Sequence, residues 1–288
     1  MAAIVRQIIN GIELVPFSTG SDDQIISIIN GYYNDLLTFD DIRTVWFIGD
    51  SRKIGISEIA PFYPSEISIT EGRENAYMES YESQTIKVRI MDFLYDDLCE
   101  PINGHNKALI TVMQVDELKG ASTEFLAFDD SMPTKCEDIS LVDLNWTTCR
   151  RREWCNTNYY NAIPIKIKHL IKKVYKYCDN DINNYFSQYE PSDDYIWLPS
   201  LNELGYSITT TSVRFYSENP FKLTNSRSIQ RLNGFTSVLR TTHLSRTSEY
   251  DGQTTKYFYD LCYYDSSLYI WESYRYLYGM TYLPCFCL

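Results

Sequence analysis

The clearest hydrophobic rhythm in the chain lies between residues 21 and 36. Ile25, Ile29, Tyr32 and Leu36 recur at i, i+4, i+7 and i+11, which makes one apolar stripe of an amphipathic helix. Ser21 stands at the N-cap position, and Gln24 three residues on completes a capping box. Asp22 and Asp23 suit the positive end of the helix dipole. The spacing predicts a helix within 18–40 that docks on the main body or on a neighbouring subunit. From Val45 the period falls to two. Residues 45–48 and 54–56 flank Gly49-Asp50, which predicts a hairpin. The polar, Glu- and Ser-rich stretch 60–83 predicts a long surface excursion. Ile86, Val88 and Ile90 alternate with Lys87, Arg89 and Met91, the pattern of a half-buried strand. A second strand is expected over 108–115, entered by the turn Asn103-Gly104-His105-Asn106.

The middle of the chain reads as helical. Thr147 or Thr148 can cap a helix that carries Arg150, Arg151, Arg152 and Trp154, and Pro164 fits the first turn of another. In that second helix Ile167, Leu170, Ile171, Val174 and Cys178 form the buried stripe. Beyond Asp193 short β segments are expected at 195–198, 213–216, 236–240, 256–263, 267–271 and 282–288. No internal repeat or low-complexity linker interrupts them. Helices in the middle with irregular antiparallel strands on either side define an α+β class. The expected division is an N-terminal helical segment, 1–42, for anchoring or oligomerisation, and a body over 43–288 with a sub-boundary near 135.

A chain of 288 residues buries roughly three quarters of its unfolded surface, enough for a core without metal or disulfides. The net charge of −12 disfavours nucleic acid, because a phosphate backbone would be repelled. The clusters Arg150–Arg152 and Lys166, Lys172, Lys173 and Lys176 read as solvated helix faces. No stretch is long and apolar enough to predict membrane insertion, and the first residues lack the pattern of a secretory signal. The chain is expected to fold in a cytoplasm with its eight cysteines reduced. No Cys-x-x-Cys pair occurs and His105, His169 and His243 lie far apart, so neither a zinc site nor a histidine-based triad is expected. Adjacent acids such as Asp96-Asp97, Asp129-Asp130 and Asp193-Asp194 point to opposite faces of a strand, whereas a glycosidase needs carboxyls converging at about 5–9 Å. They read as solvated caps. Cys285 and Cys287 on a strand would share one face as packing residues.

Tyrosine is the outlier, with 25 copies. Two explanations stand side by side, a contact surface and a low-GC genome that also favours Ile and Asn. The densest run lies between Tyr250 and Tyr278 and includes Tyr257, Tyr259, Tyr263, Tyr264, Tyr269, Trp271, Tyr274 and Tyr276. Strand alternation places Tyr257 and Tyr259 on one face, with Tyr263 a further candidate, and Phe258 and Cys262 on the other. Tyr250, Tyr257, Tyr259, Tyr264, Tyr269 and Trp271 are the expected partner-contact residues.

Five landmarks occur in order: Trp46-Phe47-Ile48-Gly49-Asp50 with Arg52-Lys53-Ile54; Trp146-x-x-Cys149-Arg150 with Asn156, Tyr159-Tyr160-Asn161-Ala162 and Pro164; Trp197-Leu198-Pro199-Ser200 with Glu203; Leu239-Arg240-Thr241; and Gly279-Met280 with Pro284-x-Phe286-Cys287-Leu288. On these the chain resembles a group of proteins encoded by phages and prophages of low-GC Gram-positive bacteria. Their C-type-lectin-type folds are related in shape to the formylglycine-generating enzymes. The resemblance covers roughly 43–288. It departs at Tyr95, where the family pattern carries a histidine before the acidic pair. It implies that the first and last strands pair, with 285–288 in the core beside the Trp46 strand. It further implies a virion component, made in the host cytoplasm and associated with tail, baseplate, fibre or head, which contacts other virion proteins or a host cell-surface glycan as a homo-oligomer. A formylglycine-generating activity is the alternative, and a free glycan-binding module a third reading. That activity needs two cysteines placed around copper, and Cys285 and Cys287 stand too close together. Calcium-dependent lectin loops need about six or more oxygen ligands. Glu218-Asn219-Pro220 has its letters in the wrong order, and Trp271-Glu272-Ser273 lacks the completing Asn-Asp. The expectation is therefore a non-enzymatic protein with no cofactor or metal.

Overall fold

The computed structural model describes residues 7–60, 80–116, 118, 146–147, 150–179, 189–200, 203 and 283–288. It adds the strand backbones at 206–209, 212–215, 237–247, 256–264 and 270–273, and at 150, 177–179, 189 and 190 likewise only the backbone. The elements in order are β1 (Gln7–Ile9), β2 (Ile12–Leu14), α1 (Asp22–Tyr33), α2 (Phe39–Arg43), β3 (Ser51–Ile56), β4 (Gln84–Phe93), β5 (Asp97–Ile102), β6 (His105–Lys107) and β7 (Ile110–Gln114). Next come α3 (Arg150–Trp154), a π-helical turn (Cys155–Tyr159), α4 (Tyr160–Ala162) and α5 (Ile165–Lys168). The strands β8 (Val174–Asp179), β9 (Tyr189–Asp194), β10 (Ile196–Trp197), β11 (Tyr206–Thr209), β12 (Ser212–Phe215), β13 (Ser237–Thr247), β14 (Lys256–Tyr264), β15 (Ile270–Ser273) and β16 (Cys285–Cys287) complete the chain. The α+β class stands. All strand pairs among the described residues are antiparallel.

Local chemistry explains the N-terminal elements. Asn10 and Gly11 form a two-residue loop with φ of 47° and 80°, the type I′ turn that matches strand twist, and it joins β1 to β2. This hairpin adds a β element to the segment expected to be helical. The capping box of α1 is present as the sequence predicts: Ser21 Oγ accepts from Gln24 N, and Gln24 Oε1 accepts from Ser21 N at 2.9 Å. Ile25, Ile29 and Tyr32 are buried with Ile28 and Tyr33, but the helix ends at Tyr33, so Leu36 lies outside the stripe and is exposed. A second capping box, Thr38 with Asp41, starts α2 and turns the chain toward Trp46. The helix packs on the body of the same chain. Tyr33 Oη accepts from Leu109 N at 2.9 Å and donates to Leu288 O at 3.4 Å, and the Trp46 indole donates to Val15 O at 2.9 Å.

The main sheet runs β10-β16-β7-β4-β3. Residues 45–48 are not a hairpin arm. They form a turn, in which Asp50 Oδ2 accepts from Phe47 N, and the chain then enters β3, whose partner is β4. Strand β4 keeps the expected alternation through Ile86, Val88 and Ile90. A bulge between Ile90 and Asp92 then admits Met91 to the core as well. The terminal strand β16 is core, though not where the resemblance puts it: it inserts between β7 and β10, separated from β3 by β7 and β4. The second sheet runs β6-β5-β8-β9. Asn103-Gly104, with φ of 48° and 88°, is another type I′ turn and joins β5 to β6, two strands the hydrophobic pattern does not announce. The expected second central helix is a single turn. Ile167, Leu170, Ile171 and Val174 are buried as predicted, but α5 stops at Lys168 and Val174 opens a strand, because β9 offers a ladder that outweighs the helical spacing. The expected side-chain position of Cys178, the excursion 61–79 and the sub-boundary near 135 lie outside the described residues.

Candidate functional site

Leu94 takes a left-handed φ of 49° after β4, a conformation a leucine adopts at a cost of about 1–2 kcal/mol. The turn ends with Asp96 pointing inward at the entry to β5, and Ala108 N donates to its carbonyl at 2.9 Å. On β8 the alternation Val174 in, Tyr175 out, Lys176 in sends a lysine into the same interior. Beyond β10, Ser200 and Glu203 make a reciprocal pair. Ser200 N donates to Glu203 Oε2 at 2.9 Å, Glu203 N donates to Ser200 Oγ at 3.2 Å, and Glu203 Oε1 is left facing Lys176.

These three groups converge. Lys176 Nζ lies 2.5 Å from Asp96 Oδ1 and 2.5 Å from Glu203 Oε1, and each of the three side chains is only 3% exposed. Trp197 and Tyr95 wall the amine, with ring centroids at 4.2 and 5.5 Å. Asp96 Oδ2 accepts from Thr111 Oγ1 at 2.7 Å and from the Cys287 thiol at 3.2 Å. Burial, then the nearby Asp96 charge, pushes the Cys287 thiol well above its ordinary range. One lysine between two carboxyls out of water is a costly arrangement, since removing each ion from water costs several kcal/mol and only close geometry offsets it.

A second polar centre adjoins the first. Asp194 is fully buried and accepts four hydrogen bonds: from Trp146 Nε1 at 2.9 Å, Ser192 Oγ at 2.7 Å, Arg152 Nε at 2.6 Å and Asn156 Nδ2 at 3.0 Å. Ser192 Oγ also lies 3.3 Å from Lys176 O, which links the two centres. Asn156, in the π-helical turn, accepts from Tyr195 N and Ile196 N, tying the turn to the start of β10. Cys155 in the same turn is fully buried and its thiol is pushed up to about 12 by desolvation. Asp193 faces outward instead. Its contact with Lys173, opposed by partial burial, holds its carboxyl below the usual range.

Several expectations change here. Asp96 and Asp194 are not solvated caps; the outward members of those pairs, Asp97 and Asp193, are the exposed ones. Nor are the basic clusters simply solvated. Arg151 is fully buried over Trp154, Arg152 holds Asp194, Lys172 lies 4.6 Å from the Tyr33 ring centroid and Lys176 is sealed in, while Lys166 and Lys173 are exposed ion pairs with Asp23 and Asp193. Asp129-Asp130, Cys136 and Cys149 lie outside the described residues. Cys285 and Cys287 do occupy a strand and are buried. Among the described residues no group of His, Cys, Asp and Glu is placed to hold a metal ion, and no helix is long and apolar enough to cross a membrane.

Of the expected contact residues, Tyr250 and Tyr269 lie outside the described residues. Tyr257, Tyr259 and Tyr264 fall on β14 and Trp271 on β15, within the three-stranded ladder β13-β14-β15. The register sets Tyr257 opposite Arg246, Tyr259 opposite Leu244, Tyr263 opposite Trp271 and Tyr264 opposite Ser237 and Ile270. Their side chains lie outside the described residues. The network around Lys176 escaped the sequence reading because its members are far apart along the chain. Two signals pointed to it: the Ser200-x-x-Glu203 capping pattern and the in-out rhythm of Val174-Tyr175-Lys176.

What the fold and this site define is an α+β protein whose second sheet is organised around buried charge. A family model described as "Domain of unknown function (DUF6273)" matches residues 128–281, over half of the chain, and the chain belongs to that family. The matched stretch includes Lys176, Asp194 and Glu203, whereas Asp96, Thr111 and Cys287 come from outside it. No curated protein and no solved structure matches the chain.

Proposed function

We propose that this protein is a structural or adhesive component of a phage virion, built on a C-type-lectin-type body. It assembles as a homo-oligomer and contacts a host surface glycan or a neighbouring virion subunit rather than carrying out a reaction. The observation that carries the reading is the ladder β13-β14-β15, where tyrosines recur along β14 and one of them, Tyr263, is paired across the strands with Trp271. Aromatic residues along paired strands suit sugar stacking and protein anchoring, because they offer large area with little entropy to lose. The ordered landmarks support the lectin-type body. Trp46, Trp146, Trp154 and Trp197 are the largest fully buried side chains among the described residues, so the motifs of the resemblance are core determinants. The burial of Lys176, Asp96 and Glu203 supports a binding role over catalysis on an external substrate, which could not reach them.

Immunogold electron microscopy of purified particles tests the proposal. Label on the virion is the expected outcome, and protein confined to infected-cell cytosol would overturn it. A glycan array then separates adhesion from scaffolding. Signal lost in a Tyr257→Ala/Tyr259→Ala double variant supports the aromatic ladder as the contact face.

A further inference from the structure

We infer that Lys176 and Asp96 condense spontaneously into a side-chain amide, an internal crosslink, with Glu203 as the proton-transfer group. This goes beyond the virion proposal and does not depend on it. Four observations carry it. The amine and both carboxyls meet at 2.5 Å in a setting only 3% exposed. The register pair Leu98↔Val174 on antiparallel strands brings the entry to β5 alongside β8, with Asp96 and Lys176 each two residues from that pair. Asp96 Oδ2 is held by the Thr111 hydroxyl at 2.7 Å and the Cys287 thiol at 3.2 Å, two donors aimed at the oxygen where charge would develop. The rings of Trp197 and Tyr95 close over the amine.

The chemistry balances without any added reagent. The reaction begins with transfer of a proton from Lys176 Nζ to Asp96 Oδ1 across their 2.5 Å contact, which leaves an amine with a free lone pair and a carboxylic acid. The Nζ lone pair attacks Asp96 Cγ and the C–N bond forms. Oδ2 takes up the negative charge between Thr111 and Cys287. Glu203 Oε1 receives a proton from Nζ and delivers it to Oδ1, the C–Oδ1 bond breaks, and one water leaves. The sum is ammonium plus carboxylate going to amide plus water. Fixed proximity supplies an effective concentration on the order of 10⁵ M or more, and exclusion of water removes the reverse reactant. The product removes one buried cation and one buried anion together and leaves Glu203 as the remaining carboxyl of the site. It covalently reinforces the junction of β5 and β8, whose ladder among the described residues is the single pair Leu98↔Val174.

The test is the intact mass of the purified full chain under denaturing conditions, followed by fragmentation of its digest. The wild type is expected to be lighter than its sequence by one water, with a branched fragment joining Asp96 to Lys176. Lys176→Arg and Glu203→Gln are each expected at full sequence mass. The wild-type measurement stands even if a variant folds poorly. A wild-type chain at full mass overturns the inference. A branch joining Lys176 to Glu203, or water loss persisting in Glu203→Gln, overturns the assignment of acid and proton carrier.

Discussion

The two principal sheets solve the burial problem in opposite ways. The five-stranded sheet is filled by Ile54, Ile86, Val88, Ile90, Ile110 and Val112. Its polar exceptions are Arg52, Thr111 and Gln114, which meet Asp22, Asp96 and the Tyr159 hydroxyl. The four-stranded sheet turns Lys176, Ser192 and Asp194 inward. Aliphatic contacts are non-directional and tolerate small changes in shape. A buried carboxylate with four donors accepts only one arrangement, and a strand that slipped by one residue would strand every donor. The first sheet thus contributes most of the apolar burial, while the second contributes uniqueness of register.

The contrast can be broken at three points. Replacing Asp194 with Ala takes a shared acceptor from Trp146, Ser192, Arg152 and Asn156 at once, and stability should fall by about 3–5 kcal/mol in denaturant titration. A loss below ~1 kcal/mol would mean the polar half is not under strict specification. Alkali offers a second probe. The Cys155 thiol rises from 9.0 to about 12 on folding, so above pH 9 the unfolded chain gives up this proton while the folded chain keeps it. The stability contribution is full below about 9 and is lost by about 12, at roughly 1.4 kcal/mol per pH unit. Cys155→Ala should flatten that slope in melts run across the window. The smallest effect belongs to the aliphatic sheet: Ile90→Val should cost about 0.5–1.5 kcal/mol and leave the transition as steep as before.

Legibility followed the range of the interactions. The Ser21/Gln24 capping box and the alternation of Ile86, Val88 and Ile90 depend on neighbours within a few residues, and the structure matches them. Asn103-Gly104 was legible as a turn, but the strands it joins were not, because the polar pattern of β5 and β6 carries no alternation. The Asn10-Gly11 hairpin carried the same dipeptide signal. The stripe Ile167, Leu170, Ile171 and Val174 fits a helix and a helix-to-strand passage equally well, and only the distant β9 decides between them. The candidate site was the least legible part. Asp96 and Lys176 are separated by 80 residues, and nothing local distinguishes Asp96 from its exposed neighbour Asp97.

The placement of β16 has a consequence for how the molecule can be damaged. Residues 285–287 are the slat between 110–114 and 196–197 and join strands that lie more than eighty residues apart, so no fragment that stops short of residue 285 can close this sheet. A chain cut or stalled shortly before Cys285 would carry two raw β edges facing each other across a gap, an open template for any extended peptide nearby. Loss of this one strand would turn a sealed interior into a seed for aggregation.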